Sequence, residues 1–335
     1  MSDKGIDRSN MYQALRDFPK QFEKSIEFAK DIKIEGKIDK IVITGMGGSA
    51  FPGDILKTYL NDIDIPIELS RNYSITTPVD QNTLLFASSF SGNTEETIAS
   101  FYDALEKGCK IVVVTSGGKL EELSKKHNIP MSRIIKESEN FQPRWSVGYF
   151  FGIFVSVLVN SGIITDREKE LRDLGRFLGQ LNLEEKAKEL TKDLVDHILI
   201  IYTSDIYERS LARIIKIKFN ENSKIQAFFN AFPEMNHNEM VGFTNIKGNY
   251  YFIIVEDPDE HPRIKKRVQI FKDILKEKGL NFYSMDMQGS SILEKIFSTI
   301  YFFDFVSYYL ALEYGVDPTP VEMVEDLKKR LGPFL

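Results

Sequence analysis

Two short segments carry residue types that hold a phosphate. Gly45-Met46-Gly47-Gly48-Ser49 follows the apolar run 40–44, and Ser88-Ser89-Phe90-Ser91-Gly92-Asn93-Thr94 follows the run 83–87. Each reads as a buried strand ending in a Gly/Ser/Thr loop that opens into a helical pattern. Backbone N–H groups at a helix N-terminus, with hydroxyl donors beside them, favour a dianion. On neighbouring parallel strands the two loops would aim at one point on the carboxyl edge of a sheet. Gly47, Gly48, Ser49, Ser89, Ser91 and Thr94 are the binding residues this predicts. The first loop also satisfies the looser dinucleotide pattern G-x-G-x-x-G/A through Ala50, with Glu68 near the acidic position on the next strand. A nicotinamide enzyme is therefore a rival, against which the three hydroxyls of the second loop count. Plain turn chemistry is a third possibility. No Gly-Lys-Ser/Thr and no G-x-S-x-G occurs at the loops, which removes a Walker loop and a serine-hydrolase elbow.

Outside the loops, two residues stand in contexts that suit chemistry. Of the four histidines, His127 and His197 fall at an ordinary helix end and strand start, and His261 lies in the acidic loop 257–260. His237 alone sits in a polar, unperiodic stretch between Asn236 and Asn238, where a near-neutral imidazole suits proton transfer. Its alternative is a loop-bracing role. Arg144 stands between Pro143 and an apolar helix starting at Trp145, so its permanent charge would project from a helix start into a pocket and stabilise an oxyanion. Its alternative is an ion pair with Glu137 or Glu139. Glu221, at a helix end between Asn220 and Asn222, reads from the residues alone as a solvated surface carboxylate.

The elements that must position these residues alternate. Strands are expected at 40–44, 65–70, 84–88 and 110–115, with helices at 53–60, 93–107 and 119–127, which implies parallel strands and right-handed crossovers. The charged stretch 165–194 reads as one or two amphipathic linking helices. Strands at 197–203, 249–255 and 280–285, with helices at 206–222, 262–278 and 296–314, then repeat the scheme without Gly-rich loops. The simplest account is α/β: a domain over 1–164 with the phosphate loops, a helical linker over 165–194, and a domain over 195–335. Residues 1–39 carry no motif and read as one amphipathic helix around 11–30.

Bulk properties narrow the class. A chain of 335 residues with a formal charge of −6, 42% hydrophobic and 27% charged residues is ordinary for a globular protein, and no basic cluster points to nucleic acid. Cys109 is the single cysteine, so neither an intrachain disulfide nor a cysteine metal cluster is expected. The charged N-terminus lacks the apolar core of a secretory signal, and a cytoplasmic protein is expected. The charge-free stretch 145–164 is nearly long enough to span a bilayer. Its Gly, Ser and Asn interruptions favour a core helix instead, and the second apolar helix carries Asp304. No membrane partner is expected.

Taken together, the paired loops resemble the phosphosugar site of the sugar isomerase (SIS) fold. Phe141-Gln142-Pro143-Arg144, Asn220-Glu221-Asn222, the stretch Pro233 to Glu239 and Asp317-Pro318-Thr319-Pro320-Val321 further resemble the bifunctional phosphoglucose/phosphomannose isomerase family, in the same order from about residue 40 to the C-terminus. The resemblance implies two doubly wound, flavodoxin-like SIS subdomains with parallel sheets flanked by helices. It also implies aldose–ketose isomerisation of a hexose 6-phosphate through a cis-enediol. In that chemistry Glu221 would shuttle the proton, Arg144 would stabilise the enediolate, and His237 would open the ring. Thr319 would leave room for both C2 epimers, and Lys328, with Lys329 one residue away, would be the C-terminal active-site lysine. A homodimer is implied, with no cofactor. The isolated histidines and missing cysteine clusters make a zinc-type isomerase an unsuitable description. Trp145-Ser146-Val147 is bulkier than the resemblance leads one to expect. The contrasting possibility is a non-catalytic phosphosugar-binding regulator.

Overall fold

The computed structural model describes residues 5–334. The opening four residues of the N-terminal stretch and the final Leu335 lie outside the described residues. The chain forms two compact units, one spanning Arg16–Gly179 with the C-terminal residues from Pro333, the other spanning Gln180–Gly332 with the N-terminal residues up to Leu15.

In the first unit β1 (Lys40–Thr44), β2 (Ile67–Ser70), β3 (Thr83–Ser89), β4 (Lys110–Thr115) and β5 (Met131–Arg133) form one sheet in the order β2-β1-β3-β4-β5. All its pairs are parallel. This is the flavodoxin-like order, whose switch point lies between the first and third strands. Every residue of β3 is buried, because helices cover both faces of a parallel sheet and the strand reads as a continuous apolar run. The three-residue β5 was not expected: it offers no periodicity to read. The N-terminal helix is broken, with α1 (Met11–Asp17) and α2 (Gln21–Ala29) separated by a 3-10 turn that contains Pro19.

Helices α3 (Phe51–Tyr59), α4 (Glu95–Glu106) and α5 (Gly118–His127) follow their strands, and α6 (Val147–Asn160) is buried from Val147 to Leu158. The glycines that interrupt α6 serve its contact with α2: a Cβ at Gly152 would stand 1.8 Å from Ser25 Oγ. Asn160 donates to the Ala29 carbonyl at 2.9 Å. The charge-free stretch is thus a core helix, and among the described residues no helix is long and apolar enough to cross a membrane.

The charged stretch 165–194 forms α7 (Glu168–Gln180) and α8 (Glu184–Leu194), and the division between the units falls at the end of α7. In the second unit β6 (Ile198–Ser204), β7 (Ala227–Phe232), β8 (Tyr250–Glu256) and β9 (Phe282–Asp286) form a parallel sheet in the order β7-β6-β8-β9. The switch point falls between β6 and β8. Edge strand β7 was not expected, since Phe228 faces out and blurs the alternation a half-buried strand shows.

The helix expected over 206–222 is not uniform. A 3-10 turn (Asp205–Tyr207) leads into a π turn (Glu208–Ala212), then α9 (Arg213–Lys218), then a second π turn (Phe219–Ser223). Helix α10 (Pro262–Glu277) precedes β9. The long α11 (Ile292–Glu313) starts with a capping box of Ser291 and Glu294. The last helix, α12 (Glu322–Leu331), buries no residue.

Candidate active site

Strand β1 pairs with β3 so that Thr44 lies beside Ala87, and both phosphate-type loops leave the carboxyl edge side by side. They are bonded to each other: the Phe90 N–H donates to Ser49 Oγ at 3.0 Å. In the second loop Ser89 Oγ lies 2.8 Å from Thr94 Oγ1 and 3.4 Å from Ser91 Oγ, and it accepts from the Gly92 N–H at 3.1 Å. Because Thr94 spends its hydroxyl on Ser89, it makes no side-chain cap on α4, and Ala50 has none to give α3. The first-turn N–H groups of two helices are therefore left without a capping side chain at one crevice, the arrangement that attracts an anion. The hydroxyls of Thr44 and Ser88 are buried there without a hydrogen-bond partner.

The glycines have a second use that the sequence does not disclose. A Cβ at Gly48 would come within 2.5 Å of the Arg144 backbone nitrogen, and one at Gly45 within 2.8 Å of the Ser88 carbonyl. Gly48 thus lets the 3-10 turn Pro143–Trp145 lie against the first loop. Arg144 is 2% exposed, its guanidinium 5.8 Å from the Trp145 ring. Phe141 stacks on Phe90 of the second loop and meets Trp145 edge-on, so an aromatic column ties Arg144 to the second loop. Glu137, one of the two expected ion-pair partners, binds Lys24 and the Tyr149 hydroxyl. The Trp145 indole N–H is buried with no acceptor. It is a donor-only group next to Arg144, and sequence reading noted only its bulk.

Glu221 lies half-buried in the π turn Phe219–Ser223 of the second unit; such turns are frequent at functional sites. Its neighbours are anchors. Asn222 donates to Ser307 Oγ at 3.0 Å, Ser223 to the Ser307 carbonyl at 2.7 Å, and Asn220 to the Ile225 carbonyl at 2.8 Å. One turn earlier, Lys218 and Asp304 form a nearly fully buried ion pair at 2.6 Å. Lys224 bonds to the carbonyls of Glu221 and Pro318, which brings Thr319, 4% exposed, to the same place. The Thr319 N–H donates to Asp317 at 3.0 Å.

His237 ends the 3-10 turn Glu234–His237 beyond β7, is exposed, and lies at the opposite edge of the sheet from Glu221, which precedes β7. The polar residues around it brace the loop. Glu239 accepts from the Tyr202 hydroxyl and from Asn230, and Asn238 donates to Glu234 at 2.7 Å. Burial, reinforced by the Glu239 charge, pushes the Tyr202 phenol well above its ordinary pKa. The other histidines are structural: His261 Nδ1 caps α10 by accepting from the Arg263 N–H, His197 bonds the Val195 carbonyl, and His127 packs on Phe101. Lys328 is exposed on α12 and paired with Glu325 at 2.7 Å.

The β6/β8 crevice of the second unit holds different groups. Tyr207, just past β6, donates to Asp257, just past β8, and Lys295 of α11 binds Asp257 at 2.6 Å and also Asp259. Burial raises the Asp257 carboxyl, but the bonds from Lys295 and Tyr207 outweigh it and hold it below the usual carboxylate range. A cavity of about 370 Å³ beside β9, lined by Tyr283, Ser284, Asp286, Gln288 and Phe302, contains none of the expected residues. Among the described residues no group of three or more His, Cys, Asp or Glu side chains could hold a metal ion.

The SIS domain family matches residues 36–160, and the family described as the bacterial phospho-glucose isomerase C-terminal SIS domain matches residues 183–331. A bifunctional phosphoglucose/phosphomannose isomerase of Caldicellulosiruptor bescii is 38% identical over 96% of this chain and 99% of its own. A D-glucosamine-6-phosphate 4-epimerase of Sulfolobus acidocaldarius is 34% identical over 75% of this chain and 78% of its own. The crystal structure of a hypothetical protein from Thermus thermophilus superposes with a TM-score of 0.74 at 16% identity, covering 97% of this chain and 91% of that one, a likeness of fold. With paired SIS units, a hydroxyl-lined switch crevice and 38% identity over nearly its full length to an isomerase of this kind, the chain belongs to the bifunctional phosphoglucose/phosphomannose isomerase family.

Proposed function

We propose that this protein interconverts glucose 6-phosphate and mannose 6-phosphate with fructose 6-phosphate by a metal-independent cis-enediol proton transfer. The observation that carries the reading is the β1/β3 crevice, where two helix starts without capping side chains and the Ser49, Ser89, Ser91 and Thr94 hydroxyls converge beside Arg144. The phosphate anchors there. The Glu221 carboxylate takes the C2 proton of the open-chain aldose and returns it to C1, while the hydroxyl proton of the enediol passes from O2 to O1. Arg144, which cannot act as an acid, stabilises the oxyanion of the enediolate, and the Trp145 N–H supplies a further donor. Thr319 borders C2, where the two aldoses differ. Of the two lysines, Lys328 is preferred: the apolar side of α12 is formed by Met323, Val324, Leu327 and Leu331, Lys328 borders it, and Lys329 lies on the far side.

Glu221 and His237 flank the six-residue β7 from opposite ends, which separates them by about 20 Å at the rise of an extended strand. One copy of the second unit does not bring them together. In a two-fold dimer the His237 of one copy opens the ring in the site that holds the other copy's Glu221. Glu221→Gln and His237→Ala are each expected to lower turnover roughly 100- to 10,000-fold, the range for a lost general acid–base. Mixed and allowed to exchange subunits, the two variants should regain about a quarter of wild-type activity, since half the dimers then hold one intact site. Unchanged turnover in Glu221→Gln removes the carboxylate from its role, and no recovery on mixing refutes the shared site. The epimerase relative supports a second reading, chemistry at C4 of an amino sugar phosphate. Glucosamine 6-phosphate in the same assay separates the two.

A further inference from the structure

The π turn that carries Glu221 and the segment that carries Thr319 are joined through one side chain. Lys224 has a left-handed backbone (φ 60°) directly after Ser223, and its side chain turns back over the turn it ends. Its Nζ donates to the Glu221 carbonyl and, at 3.1 Å, to the Pro318 carbonyl, 94 residues away in sequence. An ammonium group suits this place because it offers three donors and no acceptor. A lysine at a helix C-terminus ordinarily satisfies the last carbonyls of its own helix. Capping accounts for the bond to Glu221, whereas the bond to Pro318 serves no helix.

We propose that Lys224 is a positioning residue, which fixes the distance between the Glu221 turn and the Pro318–Thr319 wall. The inference rests on the isomerase reading of those two residues. Asn222 and Ser223 already secure the turn to α11 through Ser307, so losing Lys224 leaves the turn folded and removes its direct bond to the Pro318 carbonyl. The phosphate loops belong to the other unit and are untouched. Releasing the clamp therefore acts on the step at C1 and C2 and spares phosphate anchorage.

The test is Lys224→Met, which keeps most of the exposed stem and removes the donors, compared with Lys224→Arg, which can still donate to both carbonyls. In the full-length enzyme kcat should fall about ten- to a hundredfold in Lys224→Met, the scale of a misplaced catalytic group. KM for fructose 6-phosphate should change little, and the ratio of glucose 6-phosphate to mannose 6-phosphate turnover should shift. Lys224→Arg should recover most of the loss. Amide hydrogen exchange, followed in the same samples, should quicken over residues 316–321 in the methionine variant. Unchanged exchange there, or unchanged kcat and epimer ratio in an active enzyme, overturns the proposal. If the wild type turns over neither sugar phosphate, the isomerase reading fails by itself and exchange over 316–321 alone decides whether the clamp exists.

Discussion

At the β1/β3 crevice of the first unit, α3 and α4 begin without capping side chains, and the hydroxyl of Thr94, at the start of α4, is bonded to Ser89. At the β6/β8 crevice of the second unit, which has the corresponding strand order, His261 caps α10 and the gap is bridged by Tyr207, Asp257 and Lys295. Both crevices are cross-linked from one strand end to the other, by Phe90 to Ser49 in the first and by Tyr207 to Asp257 in the second. One cross-link uses a backbone N–H and a small hydroxyl, which leaves donors over. The other uses the protein's own carboxylate, in a loop that also contains Glu256, Asp259 and Glu260, and so opposes any anion. Topology makes a crevice at each switch point. Whether it binds a phosphate depends on what fills it.

The largest effect that could break this contrast is loss of the first crevice's hydroxyls. Ser89→Ala combined with Thr94→Val should weaken fructose 6-phosphate binding by calorimetry roughly ten- to a hundredfold for each charge-assisted hydrogen bond lost. A change near the end of β6 in the second unit, Thr203→Val, should leave affinity unchanged, and it should leave stability nearly unchanged because that hydroxyl is buried without a partner. Equal weakening by both changes would contradict the assignment of the phosphate to one crevice.

A smaller effect concerns pH. The folded Asp257 carboxyl titrates below its ordinary value, so its contribution to stability is complete above the unfolded pKa of about 3.9. It is lost as pH falls through the lower, folded value. The wild-type unfolding temperature should drop as pH falls below about 4, and Asp257→Asn should drop less steeply over that range. Parallel slopes would show that this ion pair carries no acid sensitivity.

The two Gly/Ser/Thr loops at the ends of β1 and β3 were legible in the sequence because their pattern is local: glycines and hydroxyls in an unbroken run after an apolar strand. The repeat of α/β units was legible through periodicity. Arg144 was legible at its helix start, yet the reason for Gly48 was not, since it depends on a backbone 96 positions further on. The edge strands β5 and β7 escaped because one is too short and the other turns a phenylalanine outward. The π turn around Glu221, the Lys224 bonds and the bracing of the His237 loop by Tyr202 are contacts across sequence, which no local pattern announces. For Glu221 the residues alone pointed to a solvated carboxylate, and only the family resemblance marked it.

The most direct measurement is a coupled assay of the purified enzyme on glucose 6-phosphate and on mannose 6-phosphate, each with excess EDTA. Turnover of both sugars to fructose 6-phosphate, undiminished by the chelator, is the expected result. No turnover of either sugar, or activity that disappears on chelation, would contradict a metal-independent isomerase built around Glu221 and the β1/β3 crevice.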